Sequence, residues 1–518
     1  MAEDNNSGLI SSIRAAQRLD SRGKPTVQVS VTTGKGTFTA LVPSGASVGS
    51  YEAVEIRDGN PKAYGGNGVL MAVHNVQHVI GPVLIEQKFD VRKDLSKIDE
   101  FMVKLDSTHS KQKLGVNAIL GVSMACARAG AAGKDVPLYE FLRQEAEMEP
   151  SYILPVPFFN VLNGGAHAGN SMAFQEFMIA PVGAEDIAQA VQVGCEVYQE
   201  LKKVLARKYG PSATTIGDEG GFAPPITHPS EALDLLTTAV EAAGHTGKVK
   251  FAIDPAASEF FKSDRLYDIG FKTDRPHELF PNQLSDLYKQ LLKDYPIILV
   301  EDPFSQDDWN AWAEFHRSCA VELVGDDLLA TNVDRMALAK QHDACNSLLL
   351  KINQIGTISE AIMAARTASK FDWQVFVSHR SGETTDDFIA DLAVGLGAGH
   401  MKAGSPCRGE RVVKYNRLMD IEDELKATTK TSYYAGPKWM NTVYAPYLKK
   451  VLYTSIPFHR NGSIVIIIHR VHINRTQIKS NPSVPYTTAA AWEKEKKQFM
   501  ILVAGPRSPE EITLPHTV

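Results

Sequence analysis

Long apolar runs are missing from this 518-residue chain, and the lack of any stretch of about 18 apolar residues argues against a membrane-spanning helix. Cysteine is sparse as well. Cys126, Cys195, Cys319, Cys345 and Cys407 are odd in number, scattered, and form no C-x-x-C pair. That argues against a disulfide framework or cysteine zinc site and suits a reducing compartment. Nor is there an excess of positive charge: 54 Lys and Arg against 60 Asp and Glu give a net charge of -6. A dedicated nucleic-acid binder usually carries a basic stripe, so no nucleic-acid partner is expected. The opening MAEDNNSGLI has neither a basic nor an apolar secretory segment, and a cytoplasmic protein is expected. What is present is ordinary for a soluble globular protein: 44% hydrophobic and 22% charged residues, enough to build a large core.

The texture changes twice along the chain. Residues 1–150 read as a mixed α+β domain. Thr26-Val-Gln-Val-Ser-Val alternates like a half-buried strand, Gly34-Lys-Gly follows as a turn, and Asn117 to Gly133 carries apolar and small residues at helical spacing. Residues 151–436 alternate short apolar runs with helix-like stretches, the signature of βα units. Residues 437–518 mix basic and apolar residues without period, with Ile464-Val-Ile-Ile-Ile as a lone strand-like run.

Within the middle region, apolar runs end in ionisable residues: Asp254, Glu301, Asp326, Lys351 and His379. From Glu301 onward the steps are 25, 25 and 28 residues, and Lys402 follows at a step of 23. One such strand end is unremarkable. A series in register suggests a parallel (β/α) barrel, whose strand ends converge on the face that carries chemistry. A doubly wound sheet whose strand ends cap helices is the plainer alternative.

Asp254, Glu301 and Asp326 offer oxygen ligands that suit a hard cation such as Mg²⁺; as isolated residues they read equally as caps or ion-pair partners. Lys351 beside them is either a general base or a plain ion pair. Gly217-Asp-Glu219-Gly-Gly places an acidic pair in a flexible turn. Ser378-His379-Arg380-Ser381-Gly-Glu-Thr combines a cation, hydroxyls and an imidazole, fit for a phosphate or for a capped helix start. Asn163-Gly-Gly-Ala-His167 suggests a mobile loop, with Gln175-Glu176 on the following strand.

Together with Asp20-Ser-Arg-Gly, Pro43-Ser-Gly-Ala-Ser47, Val300-Glu-Asp-Pro-Phe and Leu350-Lys-Ile-Asn-Gln-Ile-Gly-Thr, these motifs resemble enolase, in the family's order, over roughly residues 10 to 436. The resemblance implies a C-terminal (β/α)8-type barrel of the enolase variant, preceded by a smaller α+β domain and followed by an atypical extension. It implies reversible dehydration of 2-phosphoglycerate to phosphoenolpyruvate with two Mg²⁺ per active site. Asp254, Glu301 and Asp326 would hold the first ion, and the Ser47 loop would close over the substrate and help bind the second. Lys351 would remove the C2 proton and Glu219 would act on the C3 hydroxyl, supported by Glu176. Arg380 and Ser381 would hold the phosphate, with His379, Lys402, His167 and Gln175 around the substrate. Enolase-superfamily sites generally pair a Lys or His base with one or two Mg²⁺.

The departures are specific. Val48 stands where the family usually has threonine. A homodimer is implied, but the positions of its two seam ion pairs read Ala16 with Glu422 and Gln28 with Asp420, which cannot form them. Residues beyond Lys438 have no counterpart. A non-catalytic binding protein on this scaffold, and a lyase acting on another carboxylate, are the competing expectations.

Overall fold

The computed structural model describes residues 7–45, 49–148, 151–262, 264–428 and 430–436, and the backbone of four strands between 457 and 504. Ala46, Ser47 and Val48 lie outside the described residues.

The first region builds an antiparallel meander of β1 (Ser12–Leu19), β2 (Pro25–Thr33) and β3 (Gly36–Leu41). In β2 the alternation is literal: Val27, Val29 and Val31 are fully buried while Gln28 and Ser30 are half-buried. Each valine withdrawn from water contributes about 1.5–3 kcal/mol. Short helical segments over residues 70–86 follow the meander, and then come α1 (Leu95–Asp106), α2 (Val116–Gly133) and α3 (Leu138–Glu145). A Cβ at Gly121 of α2 would stand 2.5 Å from the Val29 side chain, so a glycine is needed for the helix to lie this close to the sheet. α2 has the length and composition of a membrane span, yet 89% of it is buried in the fold, as befits a core helix.

The barrel strands are β4 (Val156–Asn163), β5 (Glu176–Ala180), β6 (Lys250–Asp254), β7 (Ile297–Glu301), β8 (Glu322–Gly325), β9 (Ser347–Leu350), β10 (Gln374–Ser378) and β11 (His400–Lys402). They close in the order β7-β8-β9-β10-β11-β4-β5-β6. Every pairing is parallel except those of β5, which runs against both neighbours. The connection agrees: loop 164–175 joins β4 to β5 and contains no α-helix, only a 3-10 turn at Gly165–His167, as suits an antiparallel neighbour. Two helices, α4 (Ile187–Tyr209) and α5 (Pro229–Ala242), then follow in succession. Thus β5 starts on the rim where the other strands end, and its first residue is Glu176.

The α+β part is tied to the barrel through α9 (Ile358–Lys370), which comes after α6 (Pro281–Asp294), α7 (Trp309–Ser318) and α8 (Val333–His342). Asp99 on α1 accepts from the backbone N and the hydroxyl of Ser359 at 2.9 and 2.6 Å. Burial pushes the Asp99 carboxyl up to about 6, against the hydrogen bonds from Ser359. The unfolded chain therefore loses this proton first. The stability contribution is present below pH ~4 and is lost as pH rises towards 6, a loss of about 3 kcal/mol. Asp99→Asn is expected to abolish that fall and to equal or exceed the parent at pH 7.5. Urea midpoints of both chains from pH 4 to pH 8 check this; parallel profiles would rule it out.

Two more helices complete the barrel, α10 (Phe388–Gly395) and α11 (Gly409–Ala427). A separate unit spans residues 441–518. Its strands β12 (Pro457–Arg460), β13 (Ser463–His469), β14 (Thr488–Lys494) and β15 (Lys497–Ala504) form an antiparallel sheet in the order β12-β13-β15-β14. The run at Ile464 is therefore not a lone strand: β13 is paired on both sides.

Candidate functional site

Strand ends place the ionisable series on one rim. Asp254, Glu301 and Lys402 are the last residues of β6, β7 and β11, while Lys351 and His379 directly follow β9 and β10. Asp326 directly follows β8. Asp254, Asp326, Lys351, His379 and Lys402, with Glu176 from the reversed strand, line one cavity together with His167, Gln175, Glu219, Arg380 and Ser381, and Glu301 lies directly behind Lys402.

Lys402 is the hub. Its ammonium lies 2.7 Å from both oxygens of Glu301, 3.1 Å from Glu176 and 4.0 Å from Asp254, with the side chain 2% exposed. Burial opposes its charge, but Glu176, Glu301 and Asp254 outweigh it and hold the pKa well above the usual lysine value. One cation does not satisfy three acids. Burial pushes Glu301 up to about 7 despite Lys402, and Asp254 is raised by burial and by Glu301.

Lys351 pairs with Asp326, whose other oxygen accepts from Gln354 Nε2 at 2.9 Å. Burial lowers the lysine and raises the acid, yet their mutual attraction prevails: Lys351 titrates above, and Asp326 below, its ordinary value. The plain ion pair is what this arrangement contains. Beside it, Asp302 adopts a left-handed backbone, φ 39°, an unfavourable conformation for a non-glycine residue. Its carboxylate receives the backbone N–H groups of Asp326 and Asp327 at 3.0 and 2.7 Å, which locks the end of β8.

Across the cavity, Glu219 projects from the Gly217–Gly221 turn, closed by a 2.8 Å bond from Gly217 N to Gly221 O. Asn160 donates to Glu219 Oε2 at 2.7 Å, and His379 Nε2 lies 3.5 Å from the same oxygen. His167 Nδ1 stands 3.5 Å from Glu219 Oε1 and 3.8 Å from Glu176 Oε1. Burial brings His167 down to about 4, and burial together with the nearby Glu219 raises Glu176. The pair of acids is thus arranged so that one retains a proton more readily than a free carboxyl.

Arg380 reaches the small domain. It donates to Glu52 at 2.9 and 3.3 Å and to Asn353 at 3.0 Å. Reciprocal backbone bonds between Ser44 and Gly382, 2.8 and 2.9 Å long, fasten the stem of the 43–50 segment to the same loop. A Cβ on Gly382 would fall 2.6 Å from Ser44 O, so a larger residue would break that seam. The loop 378–384 is not a capped helix start: the next helix, α10, begins at Phe388. Ser381 and Gln175 line the cavity, and Ser47 itself lies outside the described residues.

Sequence reading passed over Glu52, Asn160, Asp302 and Asp327. Only Asp302, adjacent to Glu301, and Asp327, adjacent to Asp326, had a local signal. Among the described residues, the side-chain donor atoms set within 4.8 Å of one another belong to His167, Glu176 and Glu219, and to Asp302, Asp326 and Asp327. The trio Asp254, Glu301 and Asp326 is less tightly gathered, because the two lysine ammonium groups stand among its members. For the seam positions, Ala16 and Gln28 face each other across β1 and β2. Glu422 is buried and spent within its own chain, accepting from Ile187 N at 3.0 Å and Ala188 N at 3.3 Å.

An eight-stranded barrel with one reversed strand, an α+β domain against it, and an acidic rim around two lysines define a two-domain α/β-barrel protein with its site at the strand ends. Residues 151–443 match the enolase C-terminal TIM barrel domain, and residues 10–142 match the enolase N-terminal domain. The chain belongs to the enolase family and is a lyase-family protein.

Proposed function

We propose that this chain catalyses the phosphopyruvate hydratase reaction, the reversible dehydration of 2-phosphoglycerate to phosphoenolpyruvate, in glycolysis and gluconeogenesis. The reading carries with it a cytoplasmic homodimer and domain limits of 1–150, 151–436 and 437–518. Its main support is the burial of Asp254, Glu301 and Asp326 at successive strand ends beside Lys351.

The donor set fits magnesium. It is made of oxygens, and the raised pKa values of Asp254 and Glu301 mark carboxylates that lack enough positive charge around them. Asp254, Glu301 and Asp326 would hold the first ion, and the Ser47 segment would help hold the second. Bound there, two Mg²⁺ would stabilise the second negative charge that develops on the substrate carboxylate.

The chain's own residues divide the remaining work. Lys351 takes the C2 proton, giving an enediolate. Glu219, paired with Glu176 and steadied by Asn160, donates its own proton to the departing C3 hydroxyl, which leaves as water. Separating base from acid lets the two bonds break in separate steps. Arg380 and Ser381 receive the phosphate, which requires Glu52 to yield at least part of the guanidinium. His167, Gln175, His379 and Lys402 surround the substrate and exclude water.

A substrate panel tests this reading. Turnover of 2-phosphoglycerate is expected to exceed that of glycerate by roughly 10⁴-fold, because an unfilled phosphate seat leaves buried polar groups unpaired. Equal turnover would favour a lyase for another carboxylate. No turnover of any acid, with fold and Mg²⁺ binding intact, would favour a binding protein.

A further inference from the structure

Arg411, in the first turns of α11, has no solvent exposure. Its guanidinium ties the two loops of the site together. Nη2 donates to Asp218 O at 2.9 Å and to Ser381 O at 2.8 Å. Nη1 donates to Arg380 O at 2.6 Å and lies 2.6 Å from His379 Nδ1. All four Nη hydrogens are thereby committed, three to backbone carbonyls and one to the imidazole.

Arginine has donors and no acceptor, and it keeps its charge at any ordinary pH. The ring nitrogen facing it must therefore offer a lone pair. We propose that Arg411 is a positioning residue that fixes His379 as the tautomer protonated on Nε2 and aims that proton at Glu219. The second contact agrees independently. Nε2 lies 3.5 Å from Glu219 Oε2, where a lone pair would face a carboxylate oxygen and an N–H meets it favourably. A proton on Nδ1 would instead be driven against the guanidinium. Burial and the Arg411 charge also hold the His379 pKa well below its ordinary value, so the ring stays neutral.

The consequence for catalysis rests on Glu219 being the acid; the tautomer does not. In the intact, substrate-free chain with ¹⁵N-labelled histidine, the His379 ring, assigned by its loss in His379→Gln, is expected to show protonated Nε2 and unprotonated Nδ1. In Arg411→Met the ring is expected to become a mixture of tautomers, and kcat to fall about 10–100-fold with a smaller change in KM. Arg411→Lys, keeping a donor towards Nδ1, is expected to restore the tautomer and part of kcat. A wild-type ring protonated on Nδ1 or on both nitrogens would overturn the proposal whether or not the variants fold. An unchanged tautomer in Arg411→Met would do the same. If no turnover of 2-phosphoglycerate is found at all, the functional reading fails while the spectrum still decides the tautomer.

Discussion

Lys351→Ala is expected to lower kcat/KM for 2-phosphoglycerate by about 10²–10⁴, the contribution of a well-placed proton acceptor. The lysine follows β9, and its backbone N–H is held by Thr331 Oγ1 at 2.9 Å, so the side chain leaves the strand in a fixed direction. Truncation leaves Asp326 its bond from Gln354, and the chain is expected to stay folded. As the pair stands, Asp326 holds the ammonium charged, and a charged lysine takes no proton. The base role therefore requires that Asp326 be drawn into binding a cation, which removes the interaction that favours the ammonium. Steady-state kinetics and exchange of the substrate C2 hydrogen with deuterated solvent measure the effect together. Exchange at the parent rate in the variant would place the base elsewhere.

The second large effect concerns stability. Lys402→Met is expected to cost about 3–5 kcal/mol, because it strands buried carboxylates rather than removing a net-favourable pair. Glu301 is fully buried and Glu176 is 2% exposed, so neither acid can turn to water. Protonation will relieve part of the cost, and the loss should therefore be smaller at pH 5 than at pH 8. Removing an acid as well should help: Glu301→Gln with Lys402→Met is expected to be more stable than Lys402→Met alone. Urea unfolding of the two single variants, the double variant and the parent gives the coupling energy. A double variant with strictly additive losses would show that Lys402 and Glu301 do not act as a pair.

Much of this arrangement was legible in the sequence because barrel strands recur at a nearly fixed interval. Glu301, Asp326, Lys351, His379 and Lys402 follow one another at steps of 25, 25, 28 and 23 residues, which suggested a common rim, whereas Asp254 was marked only by the apolar run that it ends. The orientation of β5 could not, since an apolar strand reads the same in either direction; only the short loop before Gln175 hinted at it. Long-range pairs were hidden for a different reason. Glu52 with Arg380 and Arg411 with His379 join segments whose sequences carry no mark of their partners. The sharing of one lysine among Glu176, Asp254 and Glu301 was equally invisible, because it depends on how far Lys402 reaches among three strand ends. The family motifs suggested roles for the rim residues, whereas the structure shows which charges they must balance.

Loaded with magnesium, this rim is expected to remove water from 2-phosphoglycerate. This is tested most directly by following ultraviolet absorbance of the full chain with 2-phosphoglycerate, with Mg²⁺ and again after chelation. The absorbance of the phosphoenolpyruvate double bond is expected to grow with Mg²⁺, to stop growing on chelation and to resume when the metal is restored. No absorbance change by a folded, magnesium-saturated chain, or a rate indifferent to chelation, would contradict it.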